Sequence, residues 1–205
     1  MFLETICIKN GIVRDIEAHQ ARMCDTALRF GFPVPELPDL SAQLPTELRD
    51  SQKVKCSVVY HEQILSIAFT AYRQKKIDSL KLVEADVVYS FKFSDRSLLN
   101  TLLQEKGDCD EILIVKNGCI TDTSYSNVVF SKDDQFFTPD SYLLNGTKRQ
   151  QLLRERKIRE TRVTVSNLHY FDKVYLINAM LNIEDSAGLS VEKIVLNRCT
   201  SNCQL

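Results

Sequence analysis

In the stretch Leu144-Asn145-Gly146-Thr147-Lys148-Arg149, ahead of Gln150–Leu153, a glycine-led turn opens a helical segment. Such a turn can hold a phosphate group on its free N–H groups, at the positive end of the helix dipole. Taken alone, these residues are better read as an ordinary capped helix. Gly146-Thr147-Lys148 has the residues that end a nucleotide phosphate loop, but the upstream glycine is missing at the required spacing. No G-x-G-x-x-G, H-E-x-x-H or paired C-x-x-C occurs. Cys199 and Cys203 lie close together, yet with no second pair that spacing is a weak metal signal, and no metal centre is expected. The seven cysteines, at 7, 24, 56, 109, 119, 199 and 203, are mostly isolated in apolar or strand-like runs, which suits reduced thiols in a cytosolic protein. His61 and His169 have no assignable partner, and the basic run Arg154–Arg159 reads as a solvated helix end.

Positioning any such group requires a core, and the composition allows one. The 205 residues are 44% hydrophobic and 26% charged, the balance of an ordinary globular protein of one large domain or two small ones. Twenty-six Lys and Arg stand against 27 Asp and Glu, for a net charge of -1, so there is no positive field to hold a nucleic acid. Charged residues interrupt every hydrophobic run before the roughly 20 apolar residues of a membrane span. The first residues, Met1-Phe2-Leu3-Glu4-Thr5, do not read as a secretory signal, and a cytoplasmic location is expected.

Residues 2–9, Asn10-Gly11 and Ile12-Val13 predict an opening hairpin, followed by a helix over Glu17–Phe30 that Gly31 and Pro33 end. Strands are predicted at Lys53–Tyr60, Ile64–Tyr72 and Leu80–Val88. A helix over Asp95–Gln104, capped by Asp95 or Ser94, precedes a strand Glu111–Val115, which Asn117-Gly118 turns back into one strand Cys119–Phe130. Gln135–Thr138, the helix opened at Gly146, Val163–Val165, a turn from Ser166 and the run Val174–Met180 complete the pattern. The boundary falls near residues 86–92, giving a small α/β domain over 1–88 and a β-rich domain over 89–205.

One ordered series runs through both parts: Phe2-Leu3-Glu4-Thr5, His19-Gln20-Ala21-Arg22, Lys92, Asp110-Glu111, Asp122, Ser126-Asn127, Thr138-Pro139, Leu144-x-Gly146-Thr147-x-Arg149 and Asn178-Ala179. In this order it resembles the class IV fold family of pyridoxal-phosphate enzymes, which includes branched-chain and D-amino-acid aminotransferases and aminodeoxychorismate lyase. The resemblance implies a two-domain α/β (α+β) fold with pyridoxal 5'-phosphate in the cleft between the domains. It implies that Lys92 forms the Schiff base with the cofactor aldehyde, which needs an amine that loses its proton readily. Asp122 stands where the family usually has a glutamate paired with the pyridine nitrogen, one methylene longer. Arg22 matches the arginine that binds the cofactor phosphate, a good use of a planar five-donor guanidinium. Backbone amides of Thr147 and Lys148, with Asn178, would complete the phosphate site, although the family more often has Gly-Thr where this chain has Ile177-Asn178. His19 is expected to pack and hydrogen-bond structurally.

The resemblance further implies an amino substrate of small-molecule size and a homodimer, in a chain shorter than most members. Within the family, the segment Ser126-Asn127 and the compact length lean towards 4-amino-4-deoxychorismate lyase, which forms 4-aminobenzoate and pyruvate for folate biosynthesis. A D-amino-acid or branched-chain aminotransferase is the second reading, and a non-catalytic ligand-binding protein on the same fold is the third.

Overall fold

The computed structural model describes residues 1–196, so Cys199 and Cys203 lie outside the described residues. The chain opens as an antiparallel ribbon of β1 (Phe2–Lys9) and β2 (Ile12–Val13). Between them Asn10 and Gly11 sit at φ 51° and 73°, the left-handed pair that a two-residue hairpin of matching twist requires. Helix α1 (Ile16–Phe30) follows and buries His19, Met23, Thr26 and Ala27. Gly31, at φ 73°, ends it by donating its N–H to the Ala27 carbonyl. β3 (Lys53–Tyr60) and β4 (Ile64–Ala71) complete a four-stranded sheet in the order β2-β1-β3-β4. Its inner face packs Ile6, Ile8, Val54, Cys56 and Val58 against Leu40 and Leu44.

β5 (Leu80–Glu84) pairs in parallel with β6 (Glu111–Lys116) across a crossover that carries α2 (Ser97–Gln104), and α2 packs Leu99 and Leu102 on Ile112 and Ile114. β7 (Cys119–Thr123) runs antiparallel to β6. A third sheet gathers β8 (Asn127–Lys132), β9 (Gln135–Pro139), β10 (Arg159–Thr161), β11 (Lys173–Ile177) and β12 (Leu189–Ser190) in the order β10-β9-β8-β11-β12, with α3 (Thr147–Arg154) connecting β9 to β10. β13 (Ile194–Val195) then pairs in parallel with β5. These last two sheets share one core, in which Leu80, Leu113 and Ile120 meet Val128, Phe130, Val163 and Val174. The architecture is mixed α/β, rich in strands and short of helices, as the sequence implies. No helix among the described residues is long and apolar enough to cross a membrane.

Several local expectations need correction. The strand predicted over Cys119–Phe130 is two strands in different sheets, because Thr123 closes a tight turn on Ser126: its N–H donates to the Ser126 carbonyl at 2.8 Å, and its Oγ1 accepts the Ser126 N–H at 3.0 Å. α2 begins at Ser97 with Arg96 flanking it, since Asp95 accepts the Ser97 N–H in a turn just outside the helix. The short strand lies at Arg159–Thr161, beside β9. Residues Val163–Val165 instead lead into a 3-10 helix, Val165–Tyr170, that Thr164 and Asn167 cap reciprocally. β5 stops at Glu84, and it hydrogen-bonds to β6 although the sequence reading groups it with the first unit. β11 stops at Ile177, where Asn178 folds back on Leu181 and accepts the Met180 N–H on its Oδ1.

Ties between the first sheet and the rest fix what faces the cleft. The Leu3 N–H donates to the Lys92 carbonyl at 2.9 Å, and Phe2 bridges Phe93. From β3, Lys53 Nζ reaches the Met180 carbonyl at 2.9 Å and the Asp185 carboxylate at 3.1 Å.

Candidate active site

A cleft opens where β1 and α1, the segment before α2, the β7–β8 turn, the N-terminus of α3 and the end of β11 converge. Arg22, Lys92, Asp122, Thr147 and Asn178, five residues proposed from sequence, all line it. The sixth, Lys148, enters the prediction through its backbone amide. Its side chain is turned away, with Nζ donating to the side-chain Oε1 of Gln151 at 2.6 Å and lying 3.6 Å from the Asp15 carboxylate.

Lys92 is placed by backbone geometry. Its carbonyl is tied to Leu3, and the Tyr89 hydroxyl donates to the Phe93 carbonyl at 2.9 Å, which closes the loop around it. Burial pushes the Lys92 amine down to about 7; the charge of Arg22 adds to this, Glu4 opposes it, and Arg96 adds a smaller push. An amine with that titration is neutral in a large fraction of molecules near neutral pH, as a nucleophile or base must be.

Asp122 projects from β7 and is anchored on three donors. Oδ1 accepts from Asn127 Nδ2 at 2.8 Å, and Oδ2 accepts the N–H groups of Leu143 and Leu144 at 3.1 and 2.9 Å. Burial nevertheless raises its carboxyl to about 6 against those hydrogen bonds. The site thus holds an acid that a cation placed beside it would ionise fully. Asn127 spends its second amide hydrogen on the Leu144 carbonyl at 2.8 Å. Gly146 passes so near that a Cβ there would lie 2.2 Å from Asn127 Oδ1, which explains a glycine at the mouth of α3 without any positive φ. No side chain caps α3, so its first amides remain available on this side. Asn178 Nδ2 donates to Ser126 Oγ at 2.8 Å, linking the end of β11 to the β7–β8 turn.

Arg22 carries a partner that sequence reasoning passed over. Glu4 is named in the opening motif without a role, yet it receives Arg22 Nε at 2.8 Å and Arg22 Nη2 as a bidentate pair, and His19 Nδ1 lies 2.6 Å from its Oε2. Burial alone would raise the Glu4 carboxyl, but the Arg22 charge and the hydrogen bonds from His19 and Arg22 hold it at about 2. The alternation of β1, with Glu4 on the same face as Phe2 and Ile6, was the available signal that this acid points inward. Arg96 was likewise missed. It lines the cleft and donates from Nη2 to the Ser124 carbonyl at 2.6 Å. Arg149 is buried but structural: it pairs with Glu160, donates to the Pro139 carbonyl and stacks 4.1 Å over the Tyr142 ring.

Residues 88–184 match the amino-transferase class IV family. An uncharacterised protein of Haemophilus influenzae is 40% identical over 182 residues, 86% of this chain and 96% of that protein. Among solved structures, a candidate 4-amino-4-deoxychorismate lyase of Haemophilus somnus superposes with a TM-score of 0.78 at 35% identity, covering 87% of this chain and 95% of that one. The pyridoxal-phosphate-bound form of a hypothetical aminotransferase from Mycobacterium tuberculosis shares the fold, with a TM-score of 0.74 at 15% identity over 94% of this chain and 80% of that one. On the ordered residues of the cleft and these likenesses together, the chain belongs to the amino-transferase class IV family.

Proposed function

We propose that the protein is a pyridoxal-phosphate-dependent enzyme that converts 4-amino-4-deoxychorismate to 4-aminobenzoate and pyruvate. The observation that carries this reading is the pairing, in one cleft, of a lysine amine lowered to about 7 with a buried carboxylate anchored on three donors. Those residues fit the cofactor: an amine for its aldehyde, an acid for its ring nitrogen, and an uncapped helix N-terminus with Arg22 for its phosphate. When bound, the cofactor supplies an electron sink for the pair released as the substrate Cα–H bond breaks.

The chain's own residues do the rest. Lys92 Nζ provides the covalent anchor and then the base that takes the Cα proton. Asp122, held rigid by Leu143, Leu144 and Asn127, would offer a negative charge to the cofactor's ring nitrogen and so favour its protonated form. Arg22 has its Nε and Nη2 engaged by Glu4, which fixes the direction of the remaining donors for phosphate. The amides of Thr147 and Lys148, with Asn178, supply neutral donors to the same anion.

The likeness at 35% identity to a candidate lyase supports elimination over amino transfer. We take the working form to be a cytoplasmic homodimer. Loaded protein incubated with aminodeoxychorismate and no amino acceptor is expected to release pyruvate and 4-aminobenzoate in equal amounts. Amino transfer that depends on an added keto acid, without pyruvate release, would contradict the lyase assignment. Firm cofactor loading with neither activity would indicate a ligand-binding protein on this fold.

A further inference from the structure

Arg22 and Arg96 stand at the same cleft as Lys92, and they differ in what they already hold. Arg22 is matched inside the wall by the Glu4 carboxylate. Among the described residues, the Arg96 side chain makes one hydrogen bond, from Nη2 to the Ser124 carbonyl. Its Nε is buried with no partner, and no carboxylate is within ion-pair distance of it among the described residues. A guanidinium carries five donors and cannot lose its charge. A buried donor left unmade costs about 1–3 kcal/mol, and native structures keep few of them.

The position of Arg96 is equally specific. It lies four residues after Lys92, immediately before α2, and its Ser124 bond ties it to the turn that carries β7 into β8. Ser124 lies two residues after Asp122, and its hydroxyl and N–H are themselves fixed on the buried Glu111 carboxylate at 3.0 and 3.3 Å. The charge is therefore mounted on rigid elements at the place where the reacting groups converge. A planar fork on such a mount selects the two coplanar oxygens of a carboxylate.

We propose that Arg96 is a specificity-determining residue that receives a carboxylate group of the amino substrate, using the guanidinium edge that no group among the described residues occupies. This rests on the cofactor-dependent reading above and adds which residue of this chain meets the carboxylate of that substrate. The phosphate and the substrate are both anions, so the test separates them.

Protein loaded with pyridoxal phosphate is titrated calorimetrically with benzoate and with benzamide, its neutral counterpart, for wild type, Arg96→Gln and Arg96→Lys. Arg96→Gln should weaken benzoate by about tenfold or more, the low end for a hydrogen bond to a charged group, and leave benzamide unchanged. Arg96→Lys should fall between, keeping the charge and losing the fork. Cofactor affinity, measured by absorbance on unloaded protein, should change less than about twofold in both variants, a shift well below one charged hydrogen bond. Unchanged benzoate binding in Arg96→Gln overturns the proposal, as does the absence of saturable benzoate binding to loaded wild type. Loss of cofactor affinity parallel to loss of benzoate binding overturns it too, since the anion of Arg96 would then belong to the cofactor. If Arg96→Gln does not fold, the lysine variant decides by the same comparison. Failure of wild type to load at all strikes the cofactor reading itself and is seen before any benzoate is added.

Discussion

At the cleft wall Glu4 is buried and Lys92 half-buried, and their neighbours send them to opposite outcomes. Burial and the Arg22 charge bring the Lys92 amine to about 7, so its neutral fraction rises steeply across neutral pH. Covalent uptake of the cofactor should follow, with a rate that is half-maximal near pH 7 and level above pH 8 to 9; stopped-flow absorbance across pH 5.5 to 10 checks it, and a rate still climbing towards pH 10 indicates an ordinary solvated lysine. Glu4 is held at about 2 by Arg22 and His19, below the ordinary glutamate value of about 4.5. Because its folded value is depressed, the stability it contributes is complete above about pH 4.5 and is lost as the pH falls towards 2. Glu4→Gln should therefore cost about 3–5 kcal/mol at pH 7, the usual penalty for stranding a buried charge, and the difference from wild type should shrink in acid, as chemical denaturation at pH 7 and pH 3.5 would show. The same pair complicates Arg22: Arg22→Ala removes a phosphate donor but also strands Glu4, so stability falls together with cofactor affinity. Asp122 makes the sharpest residue-level forecast. Asp122→Asn loses the charge that holds the ring proton, so the rate of Cα proton loss should fall far more than cofactor affinity. It also turns an amide N–H against a donor, either Asn127 Nδ2 or the Leu143 and Leu144 N–H groups, at about 1–3 kcal/mol of stability. Asp122→Glu restores the usual family acid and should keep part of the rate. An Asn variant as fast as wild type in single-turnover deuterium exchange at Cα would remove Asp122 from the mechanism.

At the level of elements, the cleft depends on a near collision between α3 and β8. Gly146→Ala puts a methyl group 2.2 Å from Asn127 Oδ1, so Asn127 must move and release Asp122. We expect a loss of about 1–3 kcal/mol in stability, the range for an overpacked site, with weakened cofactor binding, read from thermal melts with and without cofactor. Unaltered melts would mean that Asn127 can give way freely. This contact was not legible in the sequence, which showed a glycine opening a helix and no neighbour. What could be read were features with local causes: the Asn-Gly hairpin of β1 and β2, the Gly31 stop of α1, and the strands β3 and β4, each of which follows from turn chemistry or alternation. The missed break at Ser124–Ser126 has a local cause too, Thr123 bonding to Ser126, but β-branched residues on both sides, Ile120, Thr121 and Thr123 before it and Val128 and Val129 after it, concealed it. That break places Asp122 and Asn127 on different sheets and still within hydrogen-bond reach. Of the site, the ordered motif brought Arg22, Lys92, Asp122, Thr147 and Asn178 to one cleft, whereas Glu4 and Arg96 acquire their meaning from partners 18 and 28 residues away, which no spacing rule reports.

For the whole molecule, one lysine decides between an enzyme and a scaffold that has kept its shape. Of the five cysteines among the described residues, Cys7, Cys56 and Cys109 are buried and Cys24 and Cys119 half-buried, which makes poor material for links between subunits; sedimentation under reducing conditions should give twice the chain mass, and a fully active monomer would exclude the assembly we propose. The most direct measurement is borohydride reduction of protein saturated with pyridoxal phosphate, followed by proteolysis and mass mapping, with Lys92→Ala alongside. The cleft geometry predicts one stable label on Lys92 and none on the variant. A label on another lysine, or an unlabelled Lys92 at saturating cofactor, would contradict the account at its centre.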